Sequence, residues 1–500
     1  MRKLAPLLLA CLFAGFLTGC AANGADGDER DTLVVMSVHV DFQLDPTSGG
    51  LLDHSVLPAL FDTLVKMGPT GEIVPLLAES FEVIDGGSSI RFHLNPNATF
   101  HDGSRITADD VVYSFETKLE KPQFTPLLGT FGRVEAVDDS TVIVYAAMPF
   151  VNLLELLAHQ FYVLPRAHHE PDPIAFLERP IGSGPFTFIS HDIDGTLHLQ
   201  AFEDYHGRPS AFRYLTIRPS LDPSSAVVSL ETGEVDFIPS IPPAQARILI
   251  GNDDLNHLDG MSFSCALLVM MGDTLNNDIN LRRAIYYAIN RQSVIDIANE
   301  GIGEPPTTPF APIVMGDFAD VIPIRGHDLE RARHYLELSN YNGEELTITT
   351  AVMPSVALSV QADLRELGIN IQIEQVDHMT WLTRLRNGEL EVTIVNFGAG
   401  GLRSMGENLQ FFEYSGRFYG LFTERNSVFE NLMEQIYVEA DSERRFGLLT
   451  QALNTFMEHY VTVNLMNMTV NYSFSRDIFY DYPISPGLDK YFWNFVERAN

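Results

Sequence analysis

From residue 33 onward the chain never keeps to one kind of secondary structure for long; strand-forming runs and amphipathic helical runs alternate to the end. Strands alone would build a sandwich or barrel and helices alone a bundle, whereas interleaved elements favour helices packed on sheets, an α/β fold. Residues 33–39 read as a strand, and 57–65 as a helix closed by the turn Gly68-Pro69-Thr70-Gly71. Residues 90–94 alternate apolar and polar side chains, the pattern of a half-buried strand. Thr107 reads as the N-cap of a helix over 107–120, with Asp109 and Asp110 in its first turn, where carboxylates favour the helix dipole. Residues 142–145 return to strand. Further on, 281–298 and 358–367 read as amphipathic helices, 369–374 as a strand, and 427–439 and 444–460 as a helical pair. No internal repeat is present, which argues against a solenoid or propeller. Pro- and Gly-bearing stretches near 165–185, 219–224, 239–243 and 305–312 are candidate junctions.

The first twenty residues read as an address. Arg2 and Lys3 precede an apolar run over 4–17 that is too short to span a bilayer as a helix, the pattern of a signal peptide. Leu17-Thr18-Gly19-Cys20 resembles the bacterial lipobox, which implies cleavage after residue 19 and a lipid on Cys20. Residues 1–19 are thus expected to be the signal peptide and 20–31, small and polar, a lipidated tether. Processing would leave Cys20 and Cys265, and with Cys20 lipidated no intramolecular disulfide can form.

Acidic residues outnumber basic ones 66 to 32 over 500 residues. A phosphate-binding surface needs clustered Lys and Arg, so nucleic acid is an unexpected partner. With 45% hydrophobic residues the chain can bury a large core, so the negative charge belongs on a solvated exterior.

No enzyme signature is found. There is no Gly-x-Ser-x-Gly elbow, no phosphate-binding Gly-rich loop ending in Gly-Lys-Ser/Thr, and no His-Glu-x-x-His helix. The adjacent His168 and His169, followed by Glu170-Pro171-Asp172-Pro173, read as a solvated turn rather than a metal site, because neighbouring side chains diverge. The expectation is a protein with neither catalysis nor cofactor nor bound metal. A lipid-anchored hydrolase is the alternative from another class, and it would need a nucleophile or metal constellation.

Several segments, in order, resemble the extracytoplasmic solute-binding proteins of family 5, the peptide- and nickel-binding lipoproteins of ABC importers. They are Leu60-Phe61-Asp62-Thr63-Leu64-Val65, Phe100-His101-Asp102-Gly103 with Thr107-Ala108-Asp109-Asp110-Val111, and Ile181-Gly182-Ser183-Gly184-Pro185-Phe186. Tyr205-His206-Gly207, Glu231-Thr232-Gly233-Glu234-Val235-Asp236, Arg282-Arg283-Ala284-Ile285 and Gln361-Ala362-Asp363-Leu364 follow. On the residues alone, Gly182 and Gly184 suit a tight turn that needs either positive φ or close backbone approach.

The resemblance implies a two-lobed periplasmic-binding-protein-like fold with a hinge and an additional third domain. Its expected parts are lobe I over 32–60, 178–266 and 472–500, the extra domain over 61–177, and lobe II over 267–471. It also implies a monomer on the periplasmic or cell-surface side of a bacterial membrane, delivering a peptide or small chelate to an ABC permease and ATPase complex. Peptide binders of the family place an Asp after an aromatic-Gly stretch late in the chain, where it neutralises the ligand's α-amino group. Here that stretch runs from Phe397 to Asn408 without an Asp, and offers Arg403 and Glu407 instead. Two readings stay open: Glu407 takes the α-amino role, or Arg403 captures a ligand carboxylate, as a nickel chelate or other metallophore would present. Phe397 and Asn408, at the ends of the loop, are further candidate ligand contacts, and Trp381 is a candidate for stacking on a ligand. His159 lies where nickel-binding relatives place a ligand-contacting Arg.

Overall fold

The computed structural model describes residues 31–37, 44–47, 56–68, 72–85, 88–121, 131–146, 153–220, 222–239, 241–323, 325–398, 404–413, 427–439, 441–480 and 496–499. Its main feature is a ten-stranded sheet in the order Ile371–Gln375, Leu346–Thr350, Val392–Phe397, Leu255–Met270, Thr462–Ser475, Phe237–Pro239, Thr32–Ser37, Tyr214–Pro219, Leu197–Ala201, Phe186–His191. Each half holds a parallel set. Thr32–Ser37 runs parallel to Tyr214–Pro219 and Phe237–Pro239, and Leu346–Thr350 runs parallel to Ile371–Gln375 and Val392–Phe397. Between the halves, Leu255–Met270 and Thr462–Ser475 pair antiparallel along most of their length. The two lobes are therefore halves of one sheet joined by two long crossing strands. Their pairing breaks between Met261 and Cys265, where a bulge replaces the regular ladder; bulges bend and twist a strand pair.

Both halves bury strands on both faces. Lobe II is covered on both faces: Cys265, Leu267 and Val269 pack into one core, and Ala266, Leu268 and Met270 into another. A strand buried on both faces loses the apolar-polar alternation of a half-exposed one. In the other lobe, Leu33, Val35, Leu215, Ile217, Phe237 and Tyr472 form one core, and Met36 and Ile238, which alternate with Val35 and Phe237 along their strands, pack with Val227 and Leu230 into a second. A separate four-stranded antiparallel sheet, in the order Ala78–Ile84, Ser89–Leu94, Thr141–Ala146, Phe131–Asp138, carries the core of the third domain, called the third core below. Phe92, Phe115, Phe131 and Phe161 fill it, Phe115 stacking on Phe161 at 4.3 Å between ring centres. That core spans residues 64–163, while Tyr162, Leu164 and Phe176 pack with lobe I.

Helix starts follow local chemistry. Thr107 and Asp110 form a reciprocal capping box on Ala108–Leu119, the Asp110 carboxylate accepting from the Thr107 N–H at 2.9 Å. Two elements differ from the sequence expectation. The helix expected over 57–65 is only Leu57–Leu60, and Val65–Met67 turns into a hairpin strand against Ile73–Pro75. The Leu60 carbonyl, which would continue the helix, instead accepts from Gly184 N–H at 2.9 Å. The helix expected over 281–298 is two, Ile279–Ala288 and Arg291–Ala298. Asn290 breaks it, its side chain capping the second helix and its backbone N–H donating to Asp363 Oδ2 at 2.8 Å.

Candidate functional site

In α/β sheets, ligands bind outside the carboxyl ends of parallel strands. In lobe II one such end is Phe397, followed by Gly398 at φ +89°, where an added Cβ would meet the Phe263 carbonyl oxygen at 2.5 Å. Phe263 lies in the bulge of the crossing strand, so the segment leaving Phe397 starts against the seam between the lobes. It re-enters the described residues at Ser404, the N-cap of Met405–Gln410.

Around this segment the structure places three of the expected residues. Phe397 is buried, stacked on Phe310 at 5.6 Å and tilted against Phe412 at 5.4 Å. Glu407 completes a capping box: its Oε2 accepts from Ser404 N–H at 2.9 Å and Ser404 Oγ–H at 3.3 Å. Asn408 is 1% exposed, its amide donating to Ser404 O at 2.8 Å. Trp381 lies in the same core as Phe397, stacks on His378, and donates its indole N–H to Thr393 Oγ1 at 2.8 Å. His159 is elsewhere, buried in the helix Leu153–Gln160 beside the third core. Arg403 and Cys20 lie outside the described residues. The histidine pair diverges: His168 Nε2 meets Asp102 Oδ2 at 2.7 Å, and His169 Nδ1 meets the Tyr113 hydroxyl at 2.6 Å. Among the described residues no cluster of three or more His, Cys, Asp or Glu could hold a metal ion, and no helix is long and apolar enough to cross a membrane.

A second polar constellation joins the first lobe to the third domain, and it gathers residues that sequence reading had kept in separate motifs. His101 N–H donates to Gly182 O at 2.8 Å, while its ring bridges Gly182 N–H at Nδ1, 3.1 Å away, and Gly184 O at Nε2, 3.0 Å away. Accepting at one nitrogen and donating at the other fixes a neutral imidazole. Beside it, Asp62 N–H donates to Ser183 Oγ at 3.2 Å and the Tyr205 hydroxyl donates to Asp62 Oδ1 at 3.3 Å. Asp62 Oδ2 lies 3.7 Å from His206 Nε2, both groups almost fully buried.

Burial dominates the titration of all three groups. It pushes the Asp62 carboxyl up to about 8, against the opposing pull of Lys66 and the Tyr205 hydrogen bond. It pushes His101 and His206 down to about 4, at His101 against the hydrogen bond to the Gly184 carbonyl. Each depressed histidine makes stability rise with pH from about 4 to about 6.5, and the raised carboxyl makes it fall from about 4 to about 8. Between pH 4 and 6.5 the unfolded chain thus holds two extra protons against one, and the folded chain gains stability with pH; between 6.5 and 8 the histidine effects have ended and the Asp62 effect continues. Stability from this joint should peak near pH 6.5 and fall by on the order of 1–2 kcal/mol toward pH 8. Melting temperatures of the wild type and Asp62→Asn across pH 6.5–8.5 check this; equal slopes in the two proteins would refute it.

Residues 72–418 match the model of bacterial extracellular solute-binding proteins, family 5 middle. The chain belongs to that family, whose members are substrate-binding proteins of transport and not enzymes. Di/tripeptide-binding protein 2 of Pseudomonas aeruginosa (strain UCBPP-PA14) is 26% identical over 437 residues, covering 79% of this chain and 81% of that one. The nickel-binding periplasmic protein of Escherichia coli (strain K12) is 24% identical over 434 residues, 78% of each chain. The solved structure of AgaA in complex with agropinic acid, from A. tumefaciens R10, superimposes with a TM-score of 0.81 at 21% identity, over 94% of this chain and 99% of that one. The fold is accordingly the two-lobed one expected, with the additional domain.

Proposed function

We propose that this chain is the solute-receiving component of an ABC importer, closing its two lobes over a short peptide or a small carboxylate-bearing ligand and handing it to a permease and ATPase complex. The observation that carries the reading is the family match over most of the chain, together with relatives named for di- and tripeptides. A nickel or metallophore chelate is the second reading, favoured by the nickel-binding relative and by a loop that offers Arg403 where peptide binders have Asp. The lobes would be lobe I over 32–60, 178–266 and 472–500, lobe II over 267–471, and the extra domain over 61–177. Cys20 would carry the lipid that holds the protein as a monomer on the outer side of a bacterial membrane.

A ligand that binds only the folded protein raises its melting temperature in proportion to the logarithm of its concentration once it exceeds Kd. Cys20→Ser protein, expected in the soluble fraction after a high-salt wash, is the form to screen against di- to pentapeptides and nickel-histidine chelates. At least one class should give a shift that grows with concentration. Flat melting across the whole panel would overturn the choice of cargo, and a variant still held on membranes would overturn the anchor.

A further inference from the structure

Three parallel strands of lobe II end at one edge, and their connections part there. From Leu346–Thr350 the chain leaves through the helix Pro354–Leu367, which packs Val356, Ala357 and Val360 into one core; from Ile371–Gln375 it leaves through His378–Asn387, which packs Trp381 and Leu385 into the other. The two helices therefore lie on opposite faces of the sheet, and the strand order puts Leu346–Thr350 between Ile371–Gln375 and Val392–Phe397. Where successive connections switch faces a crevice opens, and it is there that open α/β sheets take their ligands.

Val352 stands at this crevice. Of the residues leaving the central strand, Ala351 packs on one core and Met353 on the other, while Val352 between them is 42% exposed. The turn that carries it is fixed from below: the buried Thr350 hydroxyl donates to the Val352 carbonyl and accepts from the Val352 N–H at 3.2 Å. Both polar backbone groups of Val352 are thus used inside the turn, and what it offers the crevice is its side chain. The neighbouring strand end is tied to the same turn, Val376 N–H donating to Thr350 O at 3.1 Å, and three residues further on Met379 is 66% exposed. The carboxylates beside it are engaged: Asp377 accepts from the Thr380 N–H at 3.0 Å and hydroxyl at 2.6 Å, and Glu374 pairs with Arg384 at 2.6 Å.

We propose that this edge is an apolar subsite of the ligand cleft, selecting a peptide that carries a hydrocarbon side chain to lie against Val352 and Met379. The inference rests on the peptide-receiving function proposed above and narrows its substrate class. A charged side chain placed here loses hydration and finds neither a free counter-charge on Asp377 or Glu374 nor a free backbone group on Val352. A leucine or phenylalanine side chain instead removes its own apolar surface and that of Val352 from water together. Selectivity then has two sources, attraction of the apolar side chain and rejection of the charged one.

The full chain carrying Cys20→Ser would be titrated in a calorimeter with trialanine and with tripeptides bearing Leu, Lys or Glu at each position in turn. The expected result is that at one position the Leu peptide binds about ten-fold more tightly than its Lys and Glu counterparts, and that Val352→Asp abolishes this preference or turns it toward Lys. Val352→Ser, which keeps the turn and removes the hydrocarbon, is the second variant and should cut the preference to within about three-fold. Binding of all the peptides alike, or a preference that both variants leave intact, overturns the subsite and leaves the peptide-receiving function standing. No binding of any peptide overturns that function and the subsite with it.

Discussion

Gly182→Ala is expected to destabilise the protein by about 4 kcal/mol or more, enough to leave much of the chain unfolded under ordinary conditions. A Cβ at this position would lie 1.8 Å from the Leu60 carbonyl oxygen and 2.7 Å from its carbon, and both are backbone atoms. Neither side can yield cheaply. Leu60 O is held by Gly184 N–H, and Gly182 is held on both its N–H and its C=O by His101, so relief at one contact breaks the others. Of the two roles open for this glycine, it is close approach that decides: Gly182 is not among the residues with positive φ. Gly103 is the converse case, with φ +82° and open space around its missing Cβ. Gly103→Ala should therefore cost only about 1 kcal/mol, through backbone strain alone. Urea unfolding of both variants measures the contrast, and a Gly182→Ala midpoint equal to that of the wild type would contradict the close approach.

The same joint shows what the sequence could and could not disclose. The motifs at Asp62, His101, Gly182 and Tyr205 were legible one by one, as turn residues and family signatures. That they meet in one place was not, because their hydrogen bonds join residues 81 to 143 positions apart. Local chemistry is legible at Thr107, which with its two aspartates announces its helix, whereas the helix expected over 358–367 starts a turn earlier, at Pro354. Tertiary contacts overrode it elsewhere, at the Leu60 carbonyl taken by Gly184 and at Asn290, which breaks an otherwise continuous apolar stripe. The long strand Leu255–Met270 carries no single strand pattern, since its first half is partly exposed without clear alternation and its second is buried on both faces.

For the cleft, residue type is a poor guide, since an aromatic side chain suited to stacking on a ligand is equally suited to a core. Trp381 and Phe397 both pack into the core behind the candidate loop, with the Trp381 indole N–H already bonded to Thr393. Asn408 and Glu407 spend their polar atoms, at least in part, on holding the helix that follows. We propose that recognition by this loop falls to Arg403, in the stretch where the family resemblance sets an Asp in peptide binders.

Arg403→Ala is accordingly expected to weaken binding of the tightest ligand from the peptide and chelate panel by roughly 2–4 kcal/mol, about thirty- to several-hundred-fold, since a guanidinium-carboxylate pair withdrawn from water is worth far more than one on the surface. The melting temperature of the ligand-free protein should barely move. Glu407→Gln separates the two modes of recognition without disturbing the fold, because glutamine also serves at this position of a capping box and keeps an oxygen for the Ser404 N–H. If a ligand carboxylate is the recognised handle, Glu407→Gln leaves affinity within a few-fold of wild type while Arg403→Ala does not. If an α-amino group is the handle, the order reverses, because removing the Glu407 charge then strands a cation in the cleft. Calorimetric titration of both variants with the same ligand decides between them, and unchanged affinity in Arg403→Ala would end the carboxylate-capture reading.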